Sequence, residues 1–258
     1  MRICPGKEFA AESLSVLKLR TENITPVKAN GQCRLQYWAE EKEHKENFPV
    51  RLWFNSPDQV LLQGDVAWDP KGIVLGCNER EFWLAIRLKD ISSYWWGQWT
   101  EQDRSDALII SPKWVLEALG IAEVGSDDNW SLSNEEFFDI LTKRTAEGAI
   151  IKKIYVYSCD YTVRKIEYFD VYGEVAIVTE LSRYKEITEG FFAPAVIKIT
   201  RYACDDSENP VSITLTLRSI KSYEFTEKRK KGLFSRPEPK RFKHIYRIIN
   251  GEVIEQSE

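Results

Sequence analysis

The residues able to do chemistry are spread along the chain. Five carboxylates, Asp65, Asp69, Glu79, Glu81 and Asp90, lie in or beside an aromatic stretch spanning residues 48–99. Carboxylates around an aromatic groove are the equipment of glycoside hydrolysis, one serving as acid and the other as base or nucleophile. Nothing in their spacing selects a pair. His44 and His244 are both flanked by charged residues, so a histidine-centred triad is not expected, and His44 reads as an exposed side chain. P-loop, GxSxG, HExxH and glycine-rich strand-to-helix patterns are absent. Cys4, Cys33, Cys77, Cys159 and Cys204 show no CxxC spacing and an odd count, which predicts neither a zinc site nor a disulfide framework. No enzymatic activity, metal or cofactor is expected.

Aromatic residues are the stronger signal. The chain has nine Trp, eleven Tyr and twelve Phe, and all nine Trp fall between Trp38 and Trp130. Within residues 48–99, strand-length apolar segments alternate with the turns Asn55-Ser56-Pro57-Asp58, Asp69-Pro70-Lys71-Gly72, Cys77-Asn78-Glu79-Arg80 and Lys89-Asp90. This predicts an antiparallel meander. Its strands are apolar on both parities: Val50, Leu52 and Phe54 oppose Trp53, Phe82, Leu84, Ile86 and Leu88 oppose Trp83 and Ala85, and Tyr94 and Trp96 oppose Trp95 and Trp99. A sheet apolar on both faces needs a cover on each, from the chain's own helices or from a ligand.

The remaining elements must supply or support that cover. Residues 6–21 read as an amphipathic helix carrying Phe9, Leu14, Leu17 and Leu19. The charge run at 40–46 reads as a solvated hairpin tip. Ser111 to Gly120 has Ser at an N-cap, Pro at the first helical position and Gly just past the end, predicting a short helix. Ser133-Asn134-Glu135-Glu136 fits a capping box and predicts a second helix running into Phe137, Phe138, Ile140 and Leu141. From residue 150 the strands alternate more one-sidedly, as in Ser212 to Arg218, with turns at Asp170–Glu174 and Asp205–Pro210. The predicted architecture is mostly β: one domain over 1–258, a strongly curved and incompletely closed antiparallel half-barrel of about 11–12 strands. Its mouth is covered by helices within about 111–147, and a two-sheet sandwich is the alternative.

The chain resembles the bacterial lipoprotein-carrier and lipoprotein-receptor superfamily, the LolA/LolB-like fold. The likeness rests on Val50-Arg51-Leu52-Trp53-Phe54-Asn55-Ser56-Pro57-Asp58, a strand ending at a proline turn, and on the strand pair Gly72 to Leu75 and Glu81 to Ile86. It extends to the Ser111–Gly120 helix and the Lys165–Glu180 hairpin around Asp170-Val171-Tyr172-Gly173. The resemblance implies a cavity that shelters acyl chains of a lipid or lipoprotein. Ser56 stands where the sorting carrier has an arginine implicated in holding its lid, so a fixed lipid-binding or receptor-like role is the implied one.

The candidate cavity and lid residues are Leu52, Phe54, Phe82, Trp83, Leu84, Trp95, Trp96, Trp114, Leu116, Phe137 and Leu141. Residues 228–243 hold eight Lys or Arg against Glu238 alone. They are read as a solvated run or, as the functional alternative, a loop docking on an anionic membrane surface through Lys230, Lys231 and Arg236, with Leu233 and Phe234 dipping in. A net charge of −4 argues against nucleic acid as a partner, and a monomer is expected. The expected location is the cell envelope, periplasm or outer membrane. Cys4 sits where an acylated cysteine would lie, yet no signal peptide precedes it and Met1-Arg2-Ile3 is not a lipobox, so the plain reading is an unpaired thiol in a loose terminus. The alternative function is a protein–protein interaction module with a filled β core.

Overall fold

A computed structural model describes residues 4–39, 42–66, 69–88, 91–99, 108, 111–119, 129–202 and 209–256. Helix α1 (Ala10–Glu22) is followed by six strands: β1 (Val27–Ala39), β2 (Lys42–Asn55), β3 (Gln59–Val66), β4 (Asp69–Cys77), β5 (Glu81–Arg87) and β6 (Ser92–Gln98). Helix α2 (Pro112–Ala118) then precedes β7 (Trp130–Glu135), β8 (Phe138–Arg144), β9 (Ile150–Tyr157), β10 (Val163–Phe169), β11 (Val175–Thr188), β12 (Phe191–Arg201) and β13 (Val211–Ser222). Helix α3 (Glu227–Leu233) and the strands β14 (His244–Ile249) and β15 (Glu252–Glu255) complete the chain. Among the described residues fifteen strands form one open sheet, ordered β15-β14-β6-β5-β4-β3-β2-β1-β13-β12-β11-β10-β9-β8-β7. Its ladders are antiparallel except for β14 on β6, which is parallel.

The curved, unclosed β sheet is the expected architecture, with more strands than the predicted 11–12. One reason is that Ser133–Leu141 is not a helix. Trp130-Ser131-Leu132-Ser133 alternates along β7, Glu136 turns the chain with φ of 48°, and β8 returns against both β7 and β9. Pairing on both sides of β8 satisfies its backbone groups more completely than an isolated capping box, and Ile140 and Thr142 prefer a strand. The predicted run of lid helices over 111–147 therefore reduces, among the described residues, to α2.

Helix α2 forms as its local chemistry dictates: the Ser111 side chain accepts from the Lys113 N–H at 3.1 Å, and Pro112 opens the first turn. It touches β3 and β4 on one side and β11 and β12 on the other, so it lies across the inner face of the curve. There Trp114, Val115 and Ala118 join a core built from inward residues of β1–β5 and β11–β14. Helix α1 covers the same face farther along, packing Leu14 and Leu17 on Leu141, Ile154, Val156, Tyr161 and Ile166. Phe9 and Leu19, expected on its apolar side, are exposed.

The outer face of β2–β6 carries the opposite parity, Trp53, Leu61, Trp83, Ala85 and Tyr94. Its cover is the chain's own C-terminal segment, which sets Phe225, Leu233, Phe234 and Phe242 against these residues. Polar ties hold that strap: Tyr94 OH donates to the Pro237 carbonyl at 2.7 Å, Asn78 Nδ2 to the Phe234 carbonyl at 2.8 Å, and Arg236 pairs with Glu81 at 2.8 Å. Arg236 also lies 4.0 Å over the Trp96 ring, and Arg87 lies 4.5 Å over that of Phe242.

Cys4 and Cys159 form a disulfide, contrary to the expectation of unpaired thiols. The two are 155 positions apart and meet because α1 carries the N-terminus to the β9–β10 turn. Cys33 and Cys77 are free and buried, and burial pushes both thiols up, that of Cys77 to about 12, as suits inert packing residues. Cys204 and the Asp205–Glu208 part of its predicted turn lie outside the described residues.

Candidate functional site

Inward-facing apolar side chains and the helix laid across them make up the candidate site. Leu52, Phe54, Phe82 and Leu84 are fully buried in this inner cluster. Trp114 reaches it from α2 at 1 % exposure, while Trp95 and Leu116 pack on its margin. The structure thus brings seven of the eleven predicted cavity residues together. Leu141 is on the same face but under α1, and Phe137 sits in the β7–β8 turn, half-exposed beside Tyr157. Trp83 and Trp96 are on the outer face beneath the C-terminal strap, as period-two alternation requires of neighbours to Phe82 and Trp95.

The predicted membrane-contact residues are also redistributed. Phe234 is 3 % exposed and Leu233 partly buried against the outer tryptophans, so neither side chain is presented to a bilayer. Arg236 is held by Glu81, and Lys230 pairs with Glu227 at 3.1 Å. Lys231 is exposed.

Within the inner face a small cavity of about 50 Å³ lies among Leu17 of α1, Glu117 and Ala118 of α2, Leu181 of β11 and Phe191 of β12. On the other flank of α2 a pocket of about 440 Å³ is lined by Pro57, Asp58, Glu79, Trp99, Lys113, Leu116 and Glu117. There burial raises the Asp58 carboxyl above its ordinary range, with Glu79 adding to the effect and a backbone hydrogen bond opposing it. A third depression, about 520 Å³, opens beside Phe138, Ile140, Tyr155 and Lys165.

Glu117 borders both flanks of α2. Its Oε2 receives Lys152 Nζ at 2.6 Å and the hydroxyl of Tyr168, and the side chains of Glu117 and Lys152 are 3 % and 8 % exposed. Lys152 Nζ also lies 5.2 Å over the Tyr168 ring. The buried pair and its Tyr168 partner have one sign in the sequence: Lys152 occupies the parity of Ile150, Ile154 and Val156. A second polar cluster pins α1, with Tyr161 OH donating to Asp139 at 3.1 Å and bonded to Ser13 Oγ, and Lys7 N–H donating to Asp139 at 2.9 Å.

Three of the five carboxylates considered for acid and base work are held in ion pairs. Asp65 pairs with Arg51 at 2.9 Å, Asp69 with Arg87 at 2.8 Å and Glu81 with Arg236. Glu79 is exposed and Asp90 lies outside the described residues. His244 binds Glu255 at 2.8 Å and His44 stacks on Tyr37. Among the described residues no group of three His, Cys, Asp or Glu is placed to hold a metal ion, and no helix is long and apolar enough to cross a membrane.

Neither a protein-family model nor a curated protein matches this sequence. Solved structures do. A putative outer membrane lipoprotein-sorting protein domain from Vibrio parahaemolyticus superposes with a TM-score of 0.57 at 12% identity, covering 85% of this chain and 94% of its own. A LolA superfamily protein from Nitrosomonas europaea gives 0.52 at 13% identity, covering 84% and 96%. A DUF1329 family protein from Desulfovibrio piger gives 0.55 at 11% identity, covering 87% and 95%. With the inner face, its crossing helix and these superpositions together, the chain has the open, curved β fold of the LolA superfamily structures.

Proposed function

We propose that the protein is a non-catalytic binder of acyl chains, those of a lipid or a lipoprotein, on the inner face of its half-barrel. The observation that carries this reading is a short helix, α2, laid between the two arms of an apolar curved sheet whose fold is that of lipoprotein-sorting domains. An acyl chain would take the place α2 holds, against Leu52, Phe54, Phe82 and Leu84. Burying sixteen methylenes at roughly 0.8 kcal/mol each contributes on the order of 10 kcal/mol before ordering costs, enough to compete with the packing of a seven-residue helix. The expected setting is the cell envelope. The Cys4–Cys159 bridge supports an oxidising compartment there, and it engages the thiol that acylation at Cys4 would need.

Native mass spectrometry of protein purified without detergent, followed by extraction and lipid analysis, tests the reading. A bound acyl species near stoichiometric amount is expected. An apo mass that also ignores added hexadecanoate would replace this reading with an interaction module whose β core is permanently filled.

A further inference from the structure

From the Glu117–Lys152–Tyr168 trio we infer the ligand's head group: the inner face takes a single-chain amphiphile with an anionic head, which replaces the Glu117 carboxylate on Lys152. The inference rests on the acyl-binding reading above and adds a chemical class to it. Trp114, Val115 and Ala118 of α2 fill the inner core, so an acyl chain enters only as α2 yields. Glu117 travels with α2, whereas Lys152 and Tyr168 stay on β9 and β10. Lys152 Nζ, now 2.6 Å from Glu117 and 8 % exposed, would lose the one carboxylate it pairs with among the described residues. An uncompensated buried charge is among the costliest arrangements a protein can hold.

A neutral chain therefore fills the apolar space but leaves that charge bare. A chain ending in a carboxylate or phosphate restores both the ion pair to Nζ and the bond from the Tyr168 hydroxyl. The exchange restores an anionic partner to Lys152 and Tyr168, and the apolar term adds to it. Glu117 borders the cavities on both flanks of α2, so the head group has an approach from either.

Titration calorimetry of the full chain with hexadecanoate, hexadecyl phosphate and hexadecanol tests this. At least one of the anionic chains is expected to bind about tenfold or more tighter than the alcohol. Whichever anion leads tells a fatty acid from a phospholipid-type head. Lys152→Met alone would strand Glu117 and endanger folding, so the deciding variant is Glu117→Gln with Lys152→Met, which removes both charges. In it the preference should fall to within about twofold. Equal binding of acid, phosphate and alcohol by the unaltered protein, or a preference that survives the double variant, overturns the head-group assignment while leaving acyl binding intact. Failure of all three to bind removes the acyl-binding reading and the assignment with it.

Discussion

Individual polar residues in this molecule are informative where they interrupt an apolar surface. Glu117 and Lys152 interrupt the inner face; Tyr94 interrupts the outer one. Tyr94 is wholly buried, and its hydroxyl donates to the Pro237 carbonyl at 2.7 Å. Burial raises its phenol to about 12 from an ordinary 10.0, with nearby Arg236 working in the opposite direction. Between those two values the unfolded chain gives up this proton while the folded chain keeps it. The folded state then binds more protons, so stability falls as pH rises through that window. Below pH 10 the contribution is fully present. Tyr155, Tyr161 and Tyr184 are raised by burial as well and act with the same sign. Tyr94→Phe is expected to flatten the alkaline decline by about 2–3 kcal/mol between pH 10 and 12. Urea unfolding at a series of pH values measures this, and an unchanged slope would refute the assignment to Tyr94.

At the scale of elements, the disulfide and the β7–β8 hairpin show what local sequence can and cannot specify. Helix α2 was legible because its Ser111 cap and Pro112 are read by the backbone within one turn. The hairpin was not, because Ser133 and Glu136 carry a helix-start pattern that loses to ladders with β9, a strand that begins past the Glu147–Gly148 turn. Pairing of Cys4 with Cys159 has no local signature at all, since it depends on where α1 lands. That bridge closes a loop spanning most of the chain and holds the N-terminal side of a helix whose buried side chains are Ser13, Leu14 and Leu17. Replacing both cysteines by serine should lower stability by about 2–4 kcal/mol, since long closed loops restrict the unfolded chain most. The loss should be accompanied by faster amide exchange in α1. Slow exchange there, with stability unaltered, would mean that packing and the Asp139 cluster secure α1 without the bridge.

The whole molecule is a sheet covered on both faces along β2–β6, and that much could be read from the opposed parities of Phe82 and Trp83 or Trp95 and Trp96. Which cover belongs to which face could not, because the covers come from α2 and from residues 225–242, each remote in sequence from the strands they meet. The same remoteness leaves the basic segment open, in sequence, to a solvated or a membrane-docking reading. Its charges are conspicuous in sequence, whereas the burial of Phe234 exists only once Trp53, Trp83 and Tyr94 are assembled beneath it. The two roles predict opposite outcomes for one substitution. If the segment served as a membrane anchor, Phe234→Ala would leave stability unchanged and weaken sedimentation with anionic vesicles. As a strap, Phe234 fills the outer cluster, and removing its ring leaves a cavity worth about 3–5 kcal/mol. Phe234→Ala is therefore expected to lower the unfolding free energy measured in urea by that amount, with no change in vesicle sedimentation. It should also increase binding of an apolar dye as Trp83 and Trp53 become uncovered, because an exposed patch of that kind is a ready site for association. A variant as stable as the parent and deficient only in vesicle binding would return residues 228–243 to the membrane.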